Sequence, residues 1–170
     1  MEHLTNAVRL AVGGSNWYAA LSLALTLPDI CGGLESPKKT SRARYVEWCN
    51  SYLVPRYTLR VGADGRERVF LHGKDCYALR CAVLHEGSDI VGHSASEALD
   101  SFLLVAPRDG WTVHCNQSGT KLLLQVDLFC EDICKGVDEW LKVVPQSNPA
   151  VLVGIERLMK VGSLEGDWSF

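Results

Sequence analysis

Trp17-Tyr-Ala-Ala-Leu-Ser-Leu-Ala-Leu-Thr-Leu27 is the stretch of sequence that decides the fold. A helix built from it is apolar on almost every side, so we expect it to lie at the centre of the molecule, covered by other helices. The uninterrupted apolar run is too short to span a bilayer, and Glu2 stands where a signal peptide would carry basic residues. The pattern therefore predicts a buried core helix in a cytoplasmic protein that makes no membrane contact.

Cap and turn residues on both sides of this run define the neighbouring helices. Gly13-Gly14 ends a first short helix, Ser15 caps the central one, and Pro28 stops or kinks it. Thr40 or Ser41 opens the next helix. That helix carries an apolar stripe at the spacing i, i+3, i+4, i+7, formed by Tyr45, Trp48, Cys49 and Tyr52. The spacing predicts that this helix packs on one side only.

The rest of the chain fits one domain over residues 1–162, followed by a flexible tail over 163–170, because 170 residues suit a single core. Asp64-Gly65 indicates either a hairpin or a loop. Three short runs between turn residues predict an antiparallel β meander at about 102–126, before the last two helices. The runs are Phe102–Val105, Trp111–Cys115 and Lys121–Val126. The expected fold class is mainly α (α+β), a helical bundle with this meander inserted.

Charge and cysteine content narrow the classes of function. The formal net charge of -3 argues against a protein that coats nucleic acid without specificity, although a local basic groove would still be compatible with it. The 7 cysteines form no CxxC pair, which favours reduced thiols in an intracellular core. Nucleotide-binding glycine loops and zinc-protease motifs do not occur in the sequence. We therefore expect no cofactor and no metal.

One further helix is predicted from Cys76 to about Glu86, with Asp75 as its cap and Gly87 at its end. At about 100° per residue, three apolar residues form a narrow stripe along it. Arg80 lies about 70° to one side of that stripe and His85 about 70° to the other. The stripe consists of Tyr77, Cys81 and Leu84. A charged pair that brackets an apolar stripe suits an isologous dimer, since each copy would bring its pair towards the other.

The two charged side chains of this helix have complementary chemistry. Histidine changes its charge near neutral pH, which suits general acid–base catalysis. Arginine is permanently charged and presents a planar fork of donors that fits a phosphate. His85 and Arg80 are therefore the candidate catalytic residues, and the group that they would bind is a phosphate. Candidate binding residues are Tyr77 and Cys81 on the same helix and Arg42 and Arg44 on the helix before it.

The segment Arg80-Cys-Ala-Val-Leu-His85 resembles the signature of the HEPN superfamily, an arginine followed after four to six residues by a histidine near the end of a helix. The resemblance implies a helical bundle that dimerises and forms a metal-independent endoribonuclease site from paired motifs. Many members act as toxins or defence effectors. It also implies that His85 is the general acid or base and that Arg80 holds the phosphate. The products would be a 2′,3′-cyclic phosphate and a 5′-hydroxyl.

Two other arginine–histidine pairs have an allowed spacing, Arg66 with His72 and Arg108 with His114. Both fall in segments predicted as strand or loop, so only the middle pair lies on a capped helix. Catalytic members often have a strongly polar residue after the arginine, whereas this chain has Cys81. That difference keeps two alternatives open: a non-catalytic dimerisation module that binds nucleotide, RNA or protein, and a purely structural dimerisation domain.

Overall fold

The computed structural model describes residues 1–91 and 96–162 of the chain. Within these residues it contains six α-helices and five β-strands, so the prediction of a mainly helical chain with a small β component is confirmed. The helices are α1 (Glu2–Gly13), α2 (Trp17–Glu35), α3 (Ser41–Tyr52), α4 (Gly73–Cys81), α5 (Val126–Ser147) and α6 (Ala150–Glu156). The strands are β1 (Thr58–Val61), β2 (Arg66–Val69), β3 (Ser101–Val105), β4 (Asn116–Ser118) and β5 (Lys121–Gln125). The tail predicted at 163–170 lies outside the described residues.

Helix α2 occupies the centre, in contact with α1, α3, α5 and α6. Leu25 and Leu27 are fully buried there, which agrees with the predicted core helix. By length and composition alone α2 could also cross a membrane, and 44% of its most apolar window is buried inside the fold. Packing on several sides explains why this helix is apolar almost all round.

Both ends of α2 differ from the prediction. Asn16 caps the helix, with its side chain accepting the backbone N–H of Ala19 at 3.3 Å, whereas Ser15 takes a left-handed conformation with φ of 56°. Pro28 does not stop the helix, which runs on to Glu35. Proline removes one backbone hydrogen bond from the helix. Burial of the following turn, at Cys31 and Gly32, stabilises the helix and offsets this loss.

Glycines allow α3 to approach its neighbours closely. A Cβ at Gly32 would stand 2.8 Å from the carbonyl oxygen of Arg44, and a Cβ at Gly136 would stand 2.9 Å from the Trp48 ring. These contacts press α3 against both α2 and α5. The predicted stripe of α3 is confirmed, since Tyr45, Trp48 and Cys49 are buried and Tyr52 is half-buried.

Two small sheets complete the fold. Of the two alternatives left open at Asp64-Gly65, the hairpin forms, with β1 and β2 antiparallel and Val61 opposite Arg66. The predicted antiparallel meander is wrong. The second sheet has the order β3-β5-β4, with β3 parallel to β5 and β4 antiparallel to it. The run Trp111–Cys115 forms no strand. After β3 the chain turns at Gly110, where φ is 75°. It must then cross over before β5 can pair with β3 in parallel, and this run is part of that crossover connection.

All 7 cysteines are free, as predicted, and five of them are buried. The half-buried ones are Cys81 and Cys115. Burial raises the pKa of Cys115 to about 11 and the pKa values of Cys130 and Cys134 to about 12. These three side chains are therefore neutral thiols at physiological pH, which makes them poor nucleophiles and poor metal ligands.

Candidate functional site

Helix α4 begins three residues earlier than predicted, and Asp75 does not occupy the cap position. His72 is the N-cap, and Asp75 accepts the His72 backbone N–H at 3.3 Å from the third helical position, as in a capping box. The second oxygen of the Asp75 carboxylate, which is fully buried, accepts the backbone N–H groups of Glu97, Ala98 and Leu99 at 2.8–3.3 Å. Asp75 thus fixes the start of the helix and anchors the segment that leads to β3.

The last turn of this helix is a π-helical turn, Ala82–Glu86, closed by Gly87 in the left-handed conformation with φ of 61°. Gly87 therefore ends the helix as predicted. The sequence placed Arg80 and His85 on opposite sides of an apolar stripe, and this arrangement is wrong. A π turn is wider than an α turn, so residues five apart come round to nearly the same face. Arg80 Nη1 lies 2.7 Å from His85 Nε2.

Asp29 of α2 holds the guanidinium in this position. Its Oδ2 accepts the Nε–H of Arg80 at 2.8 Å and lies 2.8 Å from Arg80 Nη2 in the same ion pair, and its Oδ1 accepts the Ser41 hydroxyl at 3.0 Å. We call these four residues, Asp29, Ser41, Arg80 and His85, the Arg80 site. It joins α2, α3 and α4, and both members of its ion pair are more than four-fifths buried.

The protonation states in the Arg80 site follow from these contacts. Burial on its own would lower the pKa of Arg80, but the Asp29 carboxylate and the neighbouring Cys81 outweigh burial, so the pKa is raised and the guanidinium stays charged. A charged guanidinium can only donate, so His85 Nε2 accepts. His85 is therefore a neutral imidazole with its proton on Nδ1, and it lies exposed at the surface.

Three of the four predicted binding residues border the Arg80 site. Cys81 Sγ lies 4.0 Å from Arg80 Nη1, and the Arg42 guanidinium stacks 5.7 Å from the centre of the Tyr77 ring. Burial, followed by the contact with Cys81, raises the pKa of Tyr77, so its hydroxyl is protonated. Arg44 does not join them. Its side chain runs along Gly33 on another face of α3.

The other two arginine–histidine pairs do not come together. Arg66 pairs with Asp64 at 2.6 Å, while His72 serves as the cap of α4. Arg108 is exposed in the loop after β3, and within the described residues no hydrogen bond joins it to His114. Of the three pairs, Arg80 with His85 is therefore the one whose side chains are in contact, and it is also the pair that the helix and cap signals favoured in the sequence.

A second polar cluster surrounds His114 and was not predicted. His114 Nδ1 accepts the backbone N–H of Gln125 at 3.2 Å, and its Nε2 lies 3.1 Å from the Tyr57 hydroxyl. Tyr57 donates in turn to Asp132 at 3.2 Å. Burial, followed by the Asp132 carboxylate, raises the pKa of Tyr57 well above its ordinary value. We call Tyr57, His114 and Asp132 the His114 cluster.

Asp29 is the site residue that sequence reasoning missed. It is the only charged residue between Trp17 and Leu34, in an otherwise apolar helix. A carboxylate in a core helix needs a partner, so this isolated charge was the signal that could have found it. The partner, Arg80, lies 51 residues further along the chain.

Family models, curated proteins and solved structures show no match to this chain. Among residues 1–91 and 96–162, no group of three or more His, Cys, Asp or Glu side chains could hold a metal ion. The chemistry of the Arg80 site must therefore be argued from its own geometry.

Proposed function

We propose that the chain is a HEPN-like domain and that the Arg80 site is a metal-independent endoribonuclease site. One observation carries the proposal: a charged guanidinium and a neutral histidine nitrogen face each other 2.7 Å apart at the protein surface. A phosphate that accepts a hydrogen bond from Arg80 Nη1 would replace His85 as the acceptor. The lone pair of His85 Nε2 would then be free to take a proton. A phosphate binder and a base would then lie side by side.

The reaction that this arrangement suits is transesterification of RNA. His85 Nε2 takes the proton of the ribose 2′-hydroxyl, and the 2′-oxygen forms a bond to the neighbouring phosphorus. The bond from phosphorus to the 5′-oxygen breaks, and that oxygen takes up a proton. Arg80 stabilises the negative charge on the phosphoryl oxygens. The products are a 2′,3′-cyclic phosphate and a 5′-hydroxyl, and no electron acceptor or metal is required.

Asp29 limits the charge that Arg80 offers to a substrate. Arg80 Nε donates to the Asp29 carboxylate and Nη2 lies in ion-pair contact with it, so Nη1 is the nitrogen that faces away from Asp29 and can contact a phosphate. Arg42 adds a second positive charge nearby.

The proposed active form is a homodimer in which two Arg80 sites meet. Tyr77, Cys81 and Leu84 are each half-buried in the single chain, so part of the surface that they form beside the Arg80–His85 pair is left for a second copy. The partner's His85, in its protonated imidazolium form, would then supply the proton that the leaving 5′-oxygen takes up and become the neutral imidazole. Sedimentation or light scattering of the purified protein, with Leu84→Asp as the variant that breaks the contact, tests this step.

A non-catalytic module that binds RNA, nucleotide or a protein is the second candidate. Cys81 favours it, because a thiol is a weak hydrogen-bonding group beside the guanidinium where catalytic HEPN members often have a stronger one. The two candidates differ in outcome. Both predict that RNA binding depends on Arg80, and only the first predicts a cyclic phosphate product.

The test is cleavage of labelled RNA in EDTA by the wild type, Arg80→Ala and His85→Ala. We expect the wild type to cleave, and each variant to lose about 10²- to 10⁴-fold in rate. Products with a 2′,3′-cyclic phosphate identify the mechanism. Equal cleavage by all three proteins would mean that a contaminating nuclease acts and that the proposal is wrong. Arg80-dependent binding without cleavage would assign the second candidate.

A further inference from the structure

A separate cavity of about 260 Å³ lies between the end of α2, the loop after it and α3. The side chains that line it and can donate a hydrogen bond are Ser36, Lys39, Arg44, Trp48, Ser51 and Tyr52. No residue of the Arg80 site is part of its wall. We call it the Arg44 cavity. Since a liquid water occupies about 30 Å³, the volume fits a molecule of roughly nine non-hydrogen atoms.

The backbone of α2 holds Arg44 in place. The absence of a side chain at Gly32 lets the Arg44 backbone approach α2, because a Cβ there would stand 2.8 Å from the Arg44 carbonyl oxygen. At Gly33 a Cβ would stand 3.6 Å from the guanidinium carbon, so the guanidinium lies along the helix at contact distance. The position of this side chain is therefore set by packing before any ligand arrives.

Two residues of the cavity wall each carry a buried donor without an acceptor among the described residues. Arg44 Nε and Trp48 Nε1 are both buried, and neither has a hydrogen-bond partner among the described residues. Trp48 as a whole is 98% buried, with 2% exposed. The nearby Trp140 shows the ordinary situation, since its indole N–H donates to Glu35 at 2.8 Å. Buried donors without partners are uncommon in proteins, and a ligand that accepts from them removes the penalty.

The charged side chains of the cavity wall are two cations, Lys39 and Arg44, and two carboxylates, Glu35 and Glu47, so the wall is neutral overall and accommodates at most one negative charge on the ligand. Lys39 is paired with Glu47 at 2.6 Å, whereas Arg44 makes no ion pair within the described part of the chain. Glu35 and Glu47 both line the cavity and disfavour a dianion such as phosphate. A planar carboxylate matches the fork of a guanidinium and can accept from an indole N–H as well.

We propose that the Arg44 cavity binds a small carboxylate, held by the Arg44 guanidinium and the Trp48 indole N–H. The aromatic wall formed by Trp48 and Tyr52, whose rings lie 5.4 Å apart, covers the apolar part of the ligand. This binding is independent of the ribonuclease proposal, because none of the residues of the Arg80 site takes part in it.

The test is an NMR titration of the full chain with benzoate, which has the predicted size, observing the indole N–H signals. Trp48→Phe identifies the Trp48 signal. We expect that signal to shift along a saturable curve in the wild type. Benzamide has the same shape without the charge and should leave the signal in place. A Trp48 signal that does not saturate with benzoate would overturn the proposal, as would equal shifts with both compounds.

Matched variants establish the role of the guanidinium. Arg44→Gln should weaken benzoate binding at least about tenfold, and Arg44→Lys, which keeps the charge and loses the fork, should weaken it to a lesser degree. Arg60→Gln, an exposed arginine of β1 outside the cavity wall, should bind like the wild type. Circular dichroism checks that each variant is folded. Unchanged affinity in folded Arg44→Gln, or an Arg44-dependent response to inorganic phosphate but not benzoate, would contradict the assignment.

Discussion

His85 and His114 each follow an arginine at a similar spacing in the sequence, and their ring nitrogens meet opposite environments. His85 is exposed, and its Nε2 accepts from a charged guanidinium. His114 is largely buried, with Nδ1 accepting a backbone N–H and Nε2 beside a tyrosine hydroxyl. In the neutral form, the proton of His85 is therefore on Nδ1 and that of His114 on Nε2.

The difference separates a reactive histidine from a structural one. A ligand can reach His85 by replacing one hydrogen bond to Arg80, and the released arginine would contact the same ligand. His114 can be reached only by breaking the chain of hydrogen bonds that runs through Tyr57 to Asp132. An arginine–histidine spacing thus carries functional meaning only where both side chains lie on one accessible face.

The largest expected effect of this difference is on RNA cleavage. His85→Ala should lower the rate about 10²- to 10⁴-fold, because the proposed base is removed. His114→Ala should change the rate per folded molecule by less than about threefold, since the His114 cluster lies outside the site. Initial rates in EDTA, corrected for the folded fraction, measure both. If His114→Ala lost as much activity as His85→Ala, the functional distinction between the two histidines would be wrong.

The second effect is on stability, where His114→Ala should be more damaging than His85→Ala. His114→Ala should lower the free energy of unfolding by about 2–4 kcal/mol, because it leaves the buried Gln125 N–H without an acceptor and the Tyr57 oxygen without a donor, and because it opens a cavity. His85→Ala should stay within about 0.5 kcal/mol of the wild type, since the side chain is exposed. Urea unfolding followed by circular dichroism gives both values. Equal midpoints for the two variants would refute the structural role of His114.

These two regions also show how far the sequence could predict the molecule. Local signals were sufficient for the core helix at Trp17–Leu27, the stripe of α3 and the end of α4 at Gly87, whereas at Asp64-Gly65 they left a hairpin and a loop open. Such features depend on periodicity and on cap or turn residues close to one another in the chain. The choice of Arg80 with His85 among three pairs rested on the same local evidence.

Features that depend on distant contacts were missed. The π turn that brings Arg80 to His85 has no known sequence signal in this chain, so a regular helix placed the two apart. Asp29 reaches Arg80 only after α2 and α4 have packed. Strand β5 pairs in parallel with β3, and nothing in the runs themselves distinguishes this from a meander. The His114 cluster needs three segments far apart in the sequence.

A third effect should follow from weakening the anchor of Arg80. Asp29→Asn removes the charge that fixes the guanidinium, so the arginine becomes more available to phosphate and less well oriented. We expect kcat to fall about tenfold, because the guanidinium is less well oriented towards the reacting phosphate. KM should fall or stay unchanged, because the guanidinium is more available to bind that phosphate. A merely structural role would instead leave both constants unchanged per folded molecule. Asp138→Asn, which breaks an exposed pair with Arg9, is the matched control and should leave both constants unchanged.

The smallest effect concerns Cys115, the neighbour of His114. Burial, followed by the Asp132 carboxylate, raises the pKa of this thiol to about 11 in the folded protein. The reactive thiolate should therefore increase roughly ninefold between about pH 9 and about pH 10, and only about twofold in the unfolded chain, whose thiol has the ordinary value. Alkylation with iodoacetamide, with and without urea, followed by mass spectrometry of the Cys115 peptide, measures the two slopes. A twofold slope in the folded protein would show that solvent reaches this side of the His114 cluster, and the contrast with the exposed His85 would be weaker than the structure indicates.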